Sequence, residues 1–219
     1  MSSVAKLRLN ISMSLDGYVA GPDQSLEDPL GKGAEALHTW IVQTRSWREL
    51  HGSGEGGTTG LDDERAAAWG ENVGSMVMGR NMFGPVRGPW GDEDWRGWWG
   101  DNPPYHYPVF VLTHHPRPPL EMEGGTTFHF VTDGIEAALE RAFEAAAGKD
   151  VSIGGGAATA RQYLRAGLVD ELEVHVAPVL LGGGERLFDD LAGGTAGLAL
   201  VDFVASPAAA HYRFSRGDA

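Results

Sequence analysis

A chain of 219 residues can bury a sizeable core and suits one large domain. Its formal net charge of −13 argues against sequence-independent nucleic-acid binding, and the absence of cysteine excludes disulfides and thiolate chemistry. No apolar run is long enough to span a bilayer and no leader is visible before the first predicted strand, so the expectation is a soluble cytoplasmic protein without membrane or nucleic-acid partners.

Leu7, Leu9, Ile11 and Met13 alternate with polar residues, which predicts a half-buried strand running into a turn at Asp16-Gly17. Leu37, Trp40 and Ile41 share one helical face, predicting a helix over Ala34–Arg45. From Ser46 to Gly60 the composition shifts, His51–Gly60 reads as flexible surface loop, and a second helix is predicted over Asp62–Glu71. Ser75–Met78 reads as a buried strand that turns away at Gly79-Arg80-Asn81. The stretch Gly88–Tyr107 holds Trp90, Trp95, Trp98 and Trp99 among Gly, Pro and Asp. It is either a loop folded over the core by its own aromatics, or a pocket wall or subunit contact.

Val109–Leu112 and Phe128–Val131 are further buried strands. Asp133 with Glu136 reads as a capping box for a helix ending at Gly148, with Ile135, Leu139, Ala142 and Phe143 as its apolar stripe. Val151–Ile153 is a short strand, followed by Gly154, Gly155 and Gly156 and a helix over Ala157–Ala166 closed by Gly167. Such a strand, glycine turn and helix can hold an anion, because backbone approaches closely and the first helical amides point outward. It departs from the dinucleotide fingerprint of Rossmann folds, since Thr159 stands where the third glycine belongs. Leu172–Pro178 alternates as a strand, and Leu198–Val204 with Ala210–Ser215 predicts a closing antiparallel hairpin. The pattern implies an α/β fold with a mostly parallel mixed sheet flanked by helices. The strand period puts His175 opposite Leu172, Val174 and Val176, either as a solvated residue or as a proton donor facing a site. Asp16 is likewise either a turn cap or a site carboxylate.

Four stretches, SLDGYVAG, VMGRNMFG, VFVLTHHPR and VSIGGGAATARQYLRAGLVDELEVHVAPVLLGGGERLF, resemble the dihydrofolate reductase-like family, in the branch with the C-terminal reductase domain of riboflavin biosynthesis proteins. The resemblance covers nearly the whole chain and implies one domain over residues 1–219. It implies NADPH as cofactor, a homodimer, and hydride transfer to a C=N or C=O group of a pterin-like or pyrimidine-like small molecule. Carried over residue by residue, it places Gly79, Arg80 and Asn81 at the adenosine end of the cofactor, with Met82 replacing the family's usual hydroxyl. Thr113, His114, His115 and Arg117 match the segment near a 2′-phosphate, and Gly154, Gly155, Gly156, Ala157 and Ala158 match the pyrophosphate turn. No metal ligands are implied. The carboxylate that dihydrofolate reductases carry on their first helix aligns with Leu37 here, with Glu35 nearby, so His175 and Asp16 become the catalytic candidates. A zinc deaminase partner domain is absent from a chain without cysteine. The other functional class is a nucleotide-binding sensor that kept the cofactor site and lost the chemistry.

Overall fold

A computed structural model describes residues 4–84, 88–91, 94–191 and 197–217; residues 92 and 93 of the tryptophan-rich stretch lie outside the described residues. The elements in chain order are β1 (Leu7–Ser14), β2 (Tyr18–Ala20), a 3-10 helix (Ala34–His38), α1 (Thr39–Val42), α2 (Arg45–Leu50), α3 (Leu61–Gly70), β3 (Val73–Gly79) and α4 (Arg80–Phe83). They continue with β4 (Pro108–Leu112), β5 (Leu120–Glu121), β6 (Thr127–Val131), α5 (Ile135–Ala146), β7 (Asp150–Ile153), α6 (Ala157–Arg165), β8 (Glu171–Ala177), β9 (Glu185–Arg186), β10 (Leu198–Ala205) and β11 (Ala210–Arg216). The fold is a mixed, mostly parallel sheet with flanking helices and a C-terminal antiparallel hairpin.

The residues divide into two compact units. One holds the chain up to Leu9 and Asn72–Val169; the other holds Asn10–Glu71 and the chain from Asp170 onwards.

In the first unit the strand order is β1-β7-β3-β4-β6-β5, parallel from β1 through β6 and antiparallel only at β5. β3 lies inside this sheet and is buried along most of its length, which explains its unbroken apolar run. α5 covers it with Ala138, Leu139, Ala142 and Ala146, and Ser75 Oγ donates to the Ala142 carbonyl at 2.7 Å. Gly74 permits this closeness, since a Cβ there would stand 2.6 Å from the Ala146 carbonyl oxygen. The tryptophan-rich stretch packs Trp90, Trp95 and Trp99 onto Met76, Met78, Phe83, Val109, Val111 and Phe128. Its aromatics therefore serve the unit's own core.

In the second unit the order is β10-β11-β8-β1, with β8, β11 and β10 antiparallel, and β2 pairs with β9 apart from that sheet. α3 is fastened by charge. Arg65 bridges Glu173 on β8 at 3.3 Å and Asp202 on β10 at 2.6 Å.

Two expectations are corrected. The helix expected over 34–45 is a 3-10 helix and a single α turn, because Thr44 is extended and its hydroxyl accepts from the Trp47 amide as the cap of α2. Ser46–Leu50, where the composition shift begins, belongs to that helix and the expected loop follows it from His51. At α5 the N-cap is Gly134, at φ 95°, with no side-chain cap bond; Asp133 instead accepts from Arg141 at 2.6 Å.

Candidate functional site

Three parallel neighbours in the first unit end at one edge. β3 runs out at Gly79 beside Leu112 of β4, and Val77 pairs with Ile153 of β7. Arg80, Thr113 and Gly154 follow directly, so the carboxyl edge gathers three of the four stretches that sequence singled out. The glycine turn is tied to β3 by Gly154 N–H to the Val77 carbonyl at 2.9 Å and Gly79 N–H to the Gly155 carbonyl at 2.7 Å. The Gly155–Gly156 peptide is cis.

The three glycines do different work. A Cβ on Gly154 would press on the Met76 sulfur, and Gly155 has φ 102°, where a side chain is strained. Gly156 has φ −79° and ψ −171°, which any residue adopts, and a Cβ there meets nothing within 4 Å. Its bare Cα therefore leaves open space at the mouth of α6. The amides of Ala157 and Ala158 begin that helix and have no intrahelical acceptor. No acidic residue stands in its first turn. The missing third glycine of the fingerprint is answered from the other side: Gly79 lies so close to Thr159 Oγ1 that a Cβ on the glycine would collide with it. Sequence reasoning named both Thr159 and Gly79 but did not pair them.

Arg80 supplies the charge. Its Nε, Nη1 and Nη2 are buried and have no hydrogen-bond partner among the described residues. Its Cζ lies 3.0 Å from the centroid of the Trp90 ring, and Arg117 Cζ lies 4.9 Å from the same ring. Burial, and secondarily the charge of Arg117, lower the Arg80 pKa to about 10. A guanidinium always seeks acceptors; one buried against a ring face and beside another cation is poised for an anion. Thr113 is buried, its hydroxyl accepting from the His115 amide at 3.1 Å, and the His115 carbonyl accepts from Trp90 Nε1 at 2.9 Å. The His115 backbone thus does structural work, while His114 and Asn81 are exposed. The sequence offered the stretch around Trp90 as a pocket wall but could not single out this ring, because its contact with Arg80 is spatial and carries no sequence spacing.

Asp16 and His175 lie in the second unit. Asp16 is a tether. Its carboxylate accepts from Ser14 Oγ at 2.6 Å and from the amides of Leu181 and Gly182 at 3.1 and 2.7 Å. The Ser14 hydroxyl, with those two amides, lowers its pKa to about 2. Asp16 is therefore ionised at neutral pH and unsuited to give a proton. The reading as a turn cap fits these contacts.

His175 departs from its expectation as an open pocket residue with a near-neutral pKa. It is 0% exposed, its ring 4.4 Å from Trp40 and 5.5 Å from Trp69. β8 is covered on both faces, so alternation did not make one face open. His211 Nε2 lies 2.9 Å from Asp62 Oδ1, and a carboxylate accepts, so that nitrogen carries the proton. His211 Nδ1 is then bare and accepts from His175 Nδ1 at 2.7 Å, which leaves His175 Nε2 as a buried acceptor without a partner. Burial, then His211 and Arg65, push the His175 pKa well below its ordinary value. This neutral tautomer has no proton to deliver from Nε2. Glu35 is exposed on the 3-10 helix and Leu37 is buried, so the first-helix carboxylate has no replacement at Leu37.

Among the described residues, no group of three or more His, Cys, Asp or Glu could hold a metal ion, and no helix is long and apolar enough to cross a membrane.

The fold is shared with solved structures. A putative riboflavin biosynthesis protein from Shewanella sp. PV-4 is 23% identical, with 97% of this chain and 99% of that one covered at a TM-score of 0.58. RibD from Acinetobacter baumannii is 17% identical at a TM-score of 0.55, over 98% of this chain and 59% of that one. This chain therefore spans about three fifths of the Acinetobacter protein. Dihydrofolate reductase from Enterococcus faecalis, complexed with NADP(H), is 14% identical, with 97% of both chains covered at a TM-score of 0.50. These define a dihydrofolate reductase-like fold. No curated protein matches the chain. The family model described as the RibD C-terminal domain matches residues 5–207, and the chain belongs to that family.

Proposed function

We propose that this protein is an NADPH-dependent reductase of a small heterocyclic molecule with a C=N or C=O group. The observation that carries the proposal is Arg80: three buried guanidinium nitrogens without an acceptor among the described residues, over the same ring as Arg117, on a residue that follows Gly79, which is bonded to the glycine turn. Those residues fit a dinucleotide with a phosphorylated ribose. Arg80 and Arg117 would take the ribose phosphate, and Gly154–Ala158 the pyrophosphate. The cofactor supplies a hydride when bound. The protein's share is to bind and orient it. In the reduction the hydride adds to the carbon of the C=N or C=O bond and a proton adds to the nitrogen or oxygen. With Asp16 ionised and His175 bare at Nε2, water is the proposed proton source.

NADPH oxidation against a panel of pterins, pyrimidines, imines and quinones tests this reading. Turnover of one panel member supports it. Tight NADPH binding without turnover of any would favour the second reading, a nucleotide-binding sensor, which the structural roles of Asp16 and His175 support. We also propose a homodimer, to be tested by light scattering. Its support is Leu200, Val201 and Phe203, exposed on the edge strand β10, whereas the tryptophan-rich stretch packs on its own unit.

A further inference from the structure

Trp90 is the member of the tryptophan-rich stretch that touches charge. One face holds Arg80 at 3.0 Å, and Arg117 lies over the same ring at 4.9 Å. The ring is itself braced. Phe83 and Phe130 meet it edge to face at 5.9 and 5.0 Å, and its Nε1 donates to the His115 carbonyl at 2.9 Å. Phe130 also supports Arg117, 5.3 Å from its Cζ.

A ring face attracts a guanidinium but gives its N–H groups no acceptor. Trp90 thus fixes where the Arg80 cation sits without consuming its donors, and all three nitrogens have no partner among the described residues. Two cations near one ring repel, which an anion between them would relieve. The His115 anchor also ties the ring to the loop that carries Arg117, so Trp90 couples segments that leave two different strands.

We propose that Trp90 is a positioning residue for cofactor selectivity, holding Arg80 and Arg117 at one site for the dianionic phosphate of a 2′-phosphorylated adenosine. The inference rests on the NADPH reading above. It goes further in assigning the selectivity to an aromatic side chain of the insert, which touches no phosphate itself. A residue of merely structural importance would weaken both nicotinamide dinucleotides alike. Trp90 should weaken only the phosphorylated one.

The test titrates the full chain with NADPH, NADH and adenosine 2′,5′-bisphosphate by calorimetry, for wild type, Trp90→Met and Trp90→Phe. The wild type should bind NADPH about tenfold or more tighter than NADH, the worth of a charge-assisted contact. Trp90→Met should lose most of that ratio and bind the bisphosphate about tenfold more weakly, with NADH affinity unchanged. Trp90→Phe keeps a ring face and should restore most of the ratio. A folded Trp90→Met with the wild-type ratio would overturn the proposal. So would a wild type that binds both dinucleotides equally, which leaves the dinucleotide reading standing. A wild type that binds neither sinks that reading first. Should Trp90→Met not fold, NMR of wild type decides. The Arg80 Nε–H resonance should be shifted by the Trp90 ring current and should move with adenosine 2′,5′-bisphosphate but not with adenosine 5′-monophosphate; no difference between the two overturns the proposal.

Discussion

The Arg80 corner of the first unit and the Asp62–His211–His175 chain of the second are both polar groups set among aromatics, yet they end differently. The chain of the second unit spends its hydrogen-bonding capacity internally: Asp62 also accepts from Ser206 Oγ at 2.9 Å, His211 uses both nitrogens, and only His175 Nε2 is left over. Arg80 spends none of its capacity among the described residues. Buried polar groups are normally satisfied, and leaving them unsatisfied costs stability. The difference teaches that unanswered donors, rather than an exposed or titratable side chain, are the ground for proposing a ligand at Arg80.

The largest expected effect sharpens the account of the glycine turn. Gly156→Val should fold with stability within about 0.5 kcal/mol of wild type, since its backbone is unstrained and its Cβ enters open space. NADPH binding should fall below detection by calorimetry. Gly155→Val should instead lower the melting temperature, because φ 102° strains any side chain. Normal binding by folded Gly156→Val would show that no ligand approaches this backbone.

Next comes Arg80→Met. Its NADPH affinity should drop by about 1.5–3 kcal/mol, tenfold or more, with NADH hardly changed. Without nucleotide its thermal stability should not fall, because the buried charge it removes has no hydrogen-bond partner. His211→Phe should behave in the opposite way. It strands Asp62 and the His175 Nδ1–H, so chemical denaturation should show a loss of roughly 1–3 kcal/mol, with NADPH binding unchanged. Similar behaviour of these two variants would break the comparison.

The smallest effect is on pH. The folded pKa values of His175 and His211 are lowered, chiefly by burial, so between those values and about 6.5 the unfolded chain binds more protons. Stability should therefore be flat above about pH 6.5 and fall as pH drops below it, by up to ~1.4 kcal/mol per pH unit for each histidine. Denaturant midpoints between pH 5 and 8 check this. A His175→Gln variant with an equally steep fall would move the effect to other groups.

The fold was legible where the residues carry a strong period or a strong turn. The strand from Leu7, the helix beginning at Ala157 and the hairpin after Leu198 stand at their expected places. The short strands β2, β5 and β9 have too few residues to show a period, and Thr44 interrupts a helical face that Leu37, Trp40 and Ile41 made look continuous. At the candidate site, Arg80, Thr113 and Gly154 were readable because strand ends and glycines mark them. Trp90 was not, since nothing in a tryptophan's sequence neighbours says which cation it will cover. His175 was misread because alternation on β8 suggests one open face, and helical aromatics, Trp40 and Trp69, close it.

The most direct measurement is a pair of calorimetric titrations of the unmodified protein, one with NADPH and one with NADH. The account predicts that both bind through the glycine turn and that NADPH binds tighter by about tenfold or more. Equal affinities would contradict the role given to Arg80 and Arg117. No heat of binding with either would contradict the assignment of this corner to a nicotinamide dinucleotide.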